Sequence, residues 1–175
     1  MKKILILIFT ISITFEISAQ LPSFPQPNGN ILNPSLDKFV GTWVWISGID
    51  TLKIVLKKEN VLLPFHDNSR ADRIIGFHIF KKGNVIIEQS ISYVNTNCSD
   101  KKFTFFGGNS VGLDNPNQIT GSLINKAKNK NGHLKLLINS SFNELNWSLE
   151  NREGVRVGTY DFTFSYPLSL TLTKQ

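Results

Sequence analysis

The chain has 175 residues, with 19 basic against 13 acidic side chains, a net charge of +6 and a single cysteine, Cys98. One cysteine excludes an intrachain disulfide, so stability must come from apolar burial and strand pairing. The lysines fall in scattered pairs (Lys57-Lys58, Lys81-Lys82, Lys101-Lys102) and only four arginines occur. That is a pattern of solvated strand ends, and it argues against a nucleic-acid partner.

Lys2 and Lys3 precede an apolar run over residues 4–15, and Ile17-Ser18-Ala19 ends in a small residue. This is the layout of a cleaved signal peptide over residues 1–19; a run of that length is too short to span a bilayer, which takes about 20 apolar residues. Gln20, not a cysteine, follows, so no lipid anchor is expected. The reading predicts an exported protein, periplasmic or extracellular, with no stable membrane anchor after cleavage. Residues 20–34 carry four prolines and an Asn-Gly and read as a linker. Residues 35–175 then form one domain, large enough for a proper core.

Residues 35–39 offer a Ser cap and one short helical turn with Leu36 and Phe39 on one side. From Gly41 onward the period is two. Residues 42–47 set Trp43 and Trp45 on one face, and Leu52, Ile54 and Leu56 alternate with polar neighbours. Residues 73–81 and 85–94 flank Lys82-Gly83-Asn84 as a hairpin. Strands follow at 103–106, 118–124, 134–138 and around Leu145, Trp147 and Leu149. The last segment places Phe162, Phe164, Tyr166, Leu168, Leu170 and Leu172 at every even position, with Pro167 marking an edge or bulge. Nine short strands without helical periodicity predict an all-β antiparallel fold, a barrel of 8–10 strands or a β-sandwich.

Phe39-Val40-Gly41-Thr42-Trp43 resembles the G-x-W entry of lipocalins and fatty-acid-binding proteins. The resemblance implies a calycin-like barrel whose tryptophan plugs the closed end, and it favours the barrel, with the sandwich as the alternative. That family usually sets an arginine after its last strand, stacking on the tryptophan; here the last strand ends in Lys174. A second resemblance covers nearly the whole chain. The linker, the Phe39–Trp43 block, residues 72–80, residues 145–149 and residues 164–174 together look like a family of small secreted Bacteroidota proteins classed as a domain of unknown function. It implies a compartment and no activity.

No G-x-S-x-G, no phosphate-cradling loop and no zinc spacing occurs, so the sequence predicts no catalytic residue, no cofactor and no metal site. Trp43, Trp45, Phe77, Tyr93, Phe105 and Trp147 are the candidates for lining a cavity, weighed against simply filling a core. His66, Asp67, Arg70 and Asp72 form the densest polar loop and are the candidates for a partner-facing surface. His78 is expected to pack or to face water, and Cys98 to be a passive thiol in a turn. Two functions follow as expectations. The first is a non-enzymatic barrel binding a small apolar or amphipathic ligand. The second is an interaction or inhibitor module that engages an envelope protein or glycan through loops and a sheet edge.

Overall fold

The computed structural model describes residues 27–64, 67–109, 115–152 and 159–175. Residues 1–26, on which the expected signal peptide and the first part of the expected linker fall, and His66 lie outside the described residues. Among the described residues ten strands are present: β1 (Asn30–Ile31), β2 (Gly41–Ser47), β3 (Asp50–Leu62), β4 (Arg70–Lys82), β5 (Val85–Gln89), β6 (Phe105–Gly108), β7 (Gln118–Asn125), β8 (Lys130–Ile138), β9 (Glu144–Asn151) and β10 (Ser169–Lys174). Eight of them close a ring in the order β4-β3-β2-β10-β9-β8-β7-β6, with β6 returning to β4. Every pairing in that ring is antiparallel. The domain is therefore a closed antiparallel barrel of the calycin type. β1 adds a short parallel pairing to β4, and β5 pairs only with β4. No helix among the described residues is long and apolar enough to cross a membrane.

Alternation decides what faces in. Trp43, Leu52, Ile54, Leu56, Ile74, Phe80, Phe105, Leu134, Leu136, Leu145, Trp147 and Leu172 belong to one continuous core inside the ring. A 3₁₀ turn, residues Pro34–Phe39, plugs one end. Its Leu36 and Phe39 are fully buried, and Trp43 Nε1 donates to the Phe39 carbonyl at 2.8 Å. The Lys174 ammonium lies 5.1 Å from the centre of the Trp43 ring and donates to the Lys38 carbonyl. A lysine thus occupies the place at which the resemblance led one to expect arginine.

The wall departs from the expected strands in three places. β8 begins at Lys130 and not at residue 134, so the lysine- and asparagine-rich stretch between the expected strands at 118–124 and 134–138 shrinks to a 3₁₀ turn at Lys126–Lys128. β5 stops at Gln89, and the chain passes through 3₁₀ turns at Ile91–Tyr93 and Cys98–Asp100 before β6. The single final strand is interrupted: only Ser169–Lys174 pairs, and residues 162–168 run without strand pairing, turning Tyr166 inward. Pro167, which lacks an N–H, sits two residues before the ladder starts.

Candidate functional site

β4 changes partner midway. Ile74, Ile75 and Gly76 pair with β6, whereas Ile79, Phe80, Lys81 and Lys82 pair with β5. His78 stands at the handover, its N–H donating to Ser90 Oγ and its carbonyl accepting from Ser90 N–H. Beyond that point β6 has ended, and β5 and β7 face each other with no described ladder between them. Side chains close this seam. His78 Nδ1 shares a hydrogen bond with Thr104 Oγ1 at 2.6 Å, and Nε2 shares one with Glu88 Oε1 at 2.9 Å. Glu88 also accepts from Tyr166 O–H, Asn125 Nδ2 and the N–H groups of Lys126 and Ala127. The carboxylate therefore ties β5 to the β7–β8 turn.

His78, Ser90, Thr104 and Asn125 are fully buried, with Glu88 and Tyr166 nearly so. Burial works against the Glu88 charge, but hydrogen bonds from His78, Ala127 and Tyr166 and the attraction of His78 outweigh it and hold the carboxyl down to about 2. Burial first, and then the Glu88 charge, push the Tyr166 phenol up, which keeps it a donor. Trp147 and His78 both meet the Tyr166 ring edge-on. Trp147 Nε1 is buried with no hydrogen-bond partner among the described residues.

The six aromatic candidates do not gather at one place. Trp43, Phe105 and Trp147 are fully or almost fully buried inside the barrel, and Trp45 packs half-buried against that core. Phe77 faces outward yet is fully buried, because residues 90–104 fold across β3 and β4. Lys57 fastens that segment through the Val94 and Thr96 carbonyls and lies 5.8 Å from the Phe77 ring centre. Tyr93 is exposed on the segment itself, between the ammonium groups of Lys102 and Lys126. Of the loop candidates, Asp67 lies in the β3–β4 connection, Arg70 bonds to Asn60, and Asp72 turns inward to accept from Asn33 N–H and Asn60 Nδ2.

Two grooves open on the outer wall. One, of about 670 Å³, is lined by Lys57, Glu59, Asn60, Arg70, Asn97 and Cys98. Its charges are spent internally, Lys57 on Glu59 and on two carbonyls, Arg70 on Asn60. Burial, and then the Glu59 charge, raise the Cys98 thiol, in keeping with a passive cysteine. The other groove, of about 440 Å³, crosses β6, β7 and β8 and is lined by Arg73, Phe106, Asn109, Thr120, Ser122, His133 and Arg152 together with Gly107, Gly108 and Gly121. None of these described lining residues is acidic. Gly108 lies beside the Arg73 side chain: a Cβ there would stand at ordinary contact distance, 3.5 Å, from Arg73 Cδ.

A family profile matches the chain from residue 1 to residue 175, and its description is a family of unknown function, DUF6705. The chain belongs to DUF6705. No curated protein and no solved structure matches it.

In this DUF6705 chain the buried network was the part least visible beforehand. His78 and Glu88 are ten residues apart, and a regular two-residue hairpin from Lys82↔Val85 would place Glu88 beside Ile79 on the outer face. The register slips between Phe80 and Lys81, so Glu88 pairs with Phe80 and points inward beside His78. Arg73, His133 and Arg152 come from β4, from β8 and from just past β9, and only ring closure brings them to one groove.

Proposed function

We propose that this protein is an exported, non-enzymatic binding module that recognises an acidic glycan on the outer wall of its barrel. The observation that carries the reading is the groove over β6–β8. It combines two guanidiniums and an imidazole with hydroxyls from Thr120 and Ser122, the amide of Asn109 and the Phe106 ring, and none of its described lining residues is acidic. Guanidinium forks suit sugar carboxylates, hydroxyls and amides suit ring hydroxyl groups, and an aromatic ring suits the apolar face of a pyranose. The non-enzymatic part is supported by the His78–Glu88 pair. It is enclosed, and its polar atoms are taken up by Thr104, Tyr166, Asn125 and two backbone N–H groups. Export rests on the pattern of residues 1–19.

Calorimetric titration with oligogalacturonate and with an uncharged oligosaccharide of equal length tests the proposal. Wild type should bind the acidic sugar only, and Arg73→Ala and Arg152→Ala should each weaken it about tenfold, as expected for losing a charged hydrogen bond of roughly 1.5 kcal/mol. Equal affinity in both variants would remove the groove from consideration.

A second reading, a small ligand held inside the barrel, is favoured by one feature, the buried Trp147 Nε1, which has no partner among the described residues. An acceptor atom seated beside Tyr166 would satisfy it. Mass measured under native and denaturing conditions tests this: extra mass lost on denaturation is the expected sign, and an unchanged mass counts against it.

A further inference from the structure

At the end of the barrel opposite the 3₁₀ plug, the β2–β3 and β4–β5 hairpins rise side by side. Their register lines up one row across the outer rim: Ile46 opposite Thr51, Thr51 opposite Lys81, and Lys81 opposite Ile86. Beyond this row are the two turns. A Cβ on Gly83 would lie 3.3 Å from Ile49 Cδ1, so the two tips touch. Ile46, Ile49, Val85 and Ile86 are 68%, 79%, 63% and 47% exposed. Four large exposed aliphatic side chains crown the two adjoining hairpins, with Ile49 and Val85 toward the tips and Ile46 and Ile86 flanking Thr51 and Lys81 in the row behind, an apolar crest that a surface rarely leaves bare without a use.

The charges around the crest are as informative as the crest itself. Lys81 lies in the row behind the tips, Lys82 at the turn, and Lys53 one outward row further down, opposite Ile79. No ion pair among the described residues engages any of the three, and Asp50 is the acidic residue on this rim. At a strand rise of about 3.3 Å per residue, Lys81 stands roughly 7 Å behind the tip of Ile49. Apolar groups at a membrane interface sit about 5–10 Å deep, at the boundary between headgroups and acyl chains.

We propose that this rim docks reversibly on an anionic lipid bilayer, with Ile46, Ile49, Val85 and Ile86 entering the acyl boundary and Lys53, Lys81 and Lys82 meeting the phosphates. The crest lies at two hairpin ends, and none of its residues lines either of the grooves described above, which suits a deformable apolar medium. Its composition is aliphatic and lysine, whereas protein interfaces favour aromatic residues, methionine and arginine and are depleted in lysine. Lysine side chains gain attraction from a diffuse negative surface without needing forked geometry.

Co-sedimentation of the matured protein with vesicles tests this. Phosphatidylcholine vesicles containing phosphatidylglycerol are compared with vesicles of phosphatidylcholine alone. Wild type should sediment with the anionic vesicles and not with the neutral ones. Lys81→Gln and Lys82→Gln should each weaken the partition about fivefold, the ratio set by roughly 1 kcal/mol per basic residue at such a surface. Ile49→Asp with Val85→Asp should abolish it, with circular dichroism and thermal midpoint unchanged because both positions are exposed. Equal partition of the Ile49→Asp/Val85→Asp protein, or equal binding of wild type to both vesicles, overturns the proposal. So does a wild-type dimer that this double variant dissociates without loss of vesicle binding, since the crest would then be a contact between copies.

Discussion

Glu88 is a carboxylate held in the barrel wall by five donors, and its position sets how the protein responds to acid. Its folded value, about 2, lies below the 4.5 of an unperturbed glutamate. The folded state thus prefers the ionised form, and the stability Glu88 contributes is present above about pH 4.5. That contribution is lost as pH falls from there toward 2. Urea unfolding across this window should show a loss of stability that Glu88→Gln removes. The same variant should cost about 3 kcal/mol at neutral pH, because a neutral amide cannot accept from all the donors that converge there. Lys174 is a second residue whose role is local. Lys174→Ala should lower stability by about 1 kcal/mol through loss of the ring contact and of its bond to the Lys38 carbonyl, and Lys174→Arg should retain most of it. Denaturant midpoints of the three proteins check this.

Among the elements, β6 and β7 approach more closely than side chains allow. Gly107 pairs with Gly121 in register. A Cβ on Gly121 would stand 2.2 Å from the Phe106 carbonyl oxygen and 2.6 Å from Gly107 Cα, and backbone cannot yield as a flexible side chain can. Gly121→Ala should therefore cost about 3 kcal/mol and should disturb the groove as well, whereas Gly108→Ala, which meets only Arg73 Cδ, should be mild. Thermal unfolding of both variants separates the two cases. Element by element, the strand map was legible wherever one face was apolar and the other polar. Trp43 with Trp45 and Leu52-Ile54-Leu56 announce their strands because period two is all that a half-buried strand needs. The even-numbered series from Phe162 to Leu172 misled for the same reason. Alternation continues through a segment whose partner strand has already turned away, and only Leu170 and Leu172 belong to the ladder. The β5 bulge had no marker either, since an extra residue in an apolar run such as Val85-Ile86-Ile87 leaves the composition unchanged, yet it decides which face receives Glu88. The groove was hidden by distance along the chain: 79 positions separate Arg73 from Arg152, and nothing in either neighbourhood points to the other.

At the scale of the whole molecule, the ring closes by pairing its first wall strand with its last. β2 meets β10 through Val44↔Thr173 and Trp43↔Lys174, and Gln175 N–H donates to the Thr42 carbonyl. Removing residues 169–175 would expose β2 and β9 along two unpaired edges and open the core that Leu170 and Leu172 seal. The truncated chain should show no cooperative thermal transition and should bind a hydrophobic dye, outcomes that calorimetry and fluorescence read directly. This closure also bears on timing. While the chain emerges from the ribosome, the strands from β2 to β9 can come together only as an incomplete wall. The decisive contact waits for β10, the last of the described strands in chain order. A nascent chain of this design therefore remains an open wall until β10 has emerged and paired with β2 and β9.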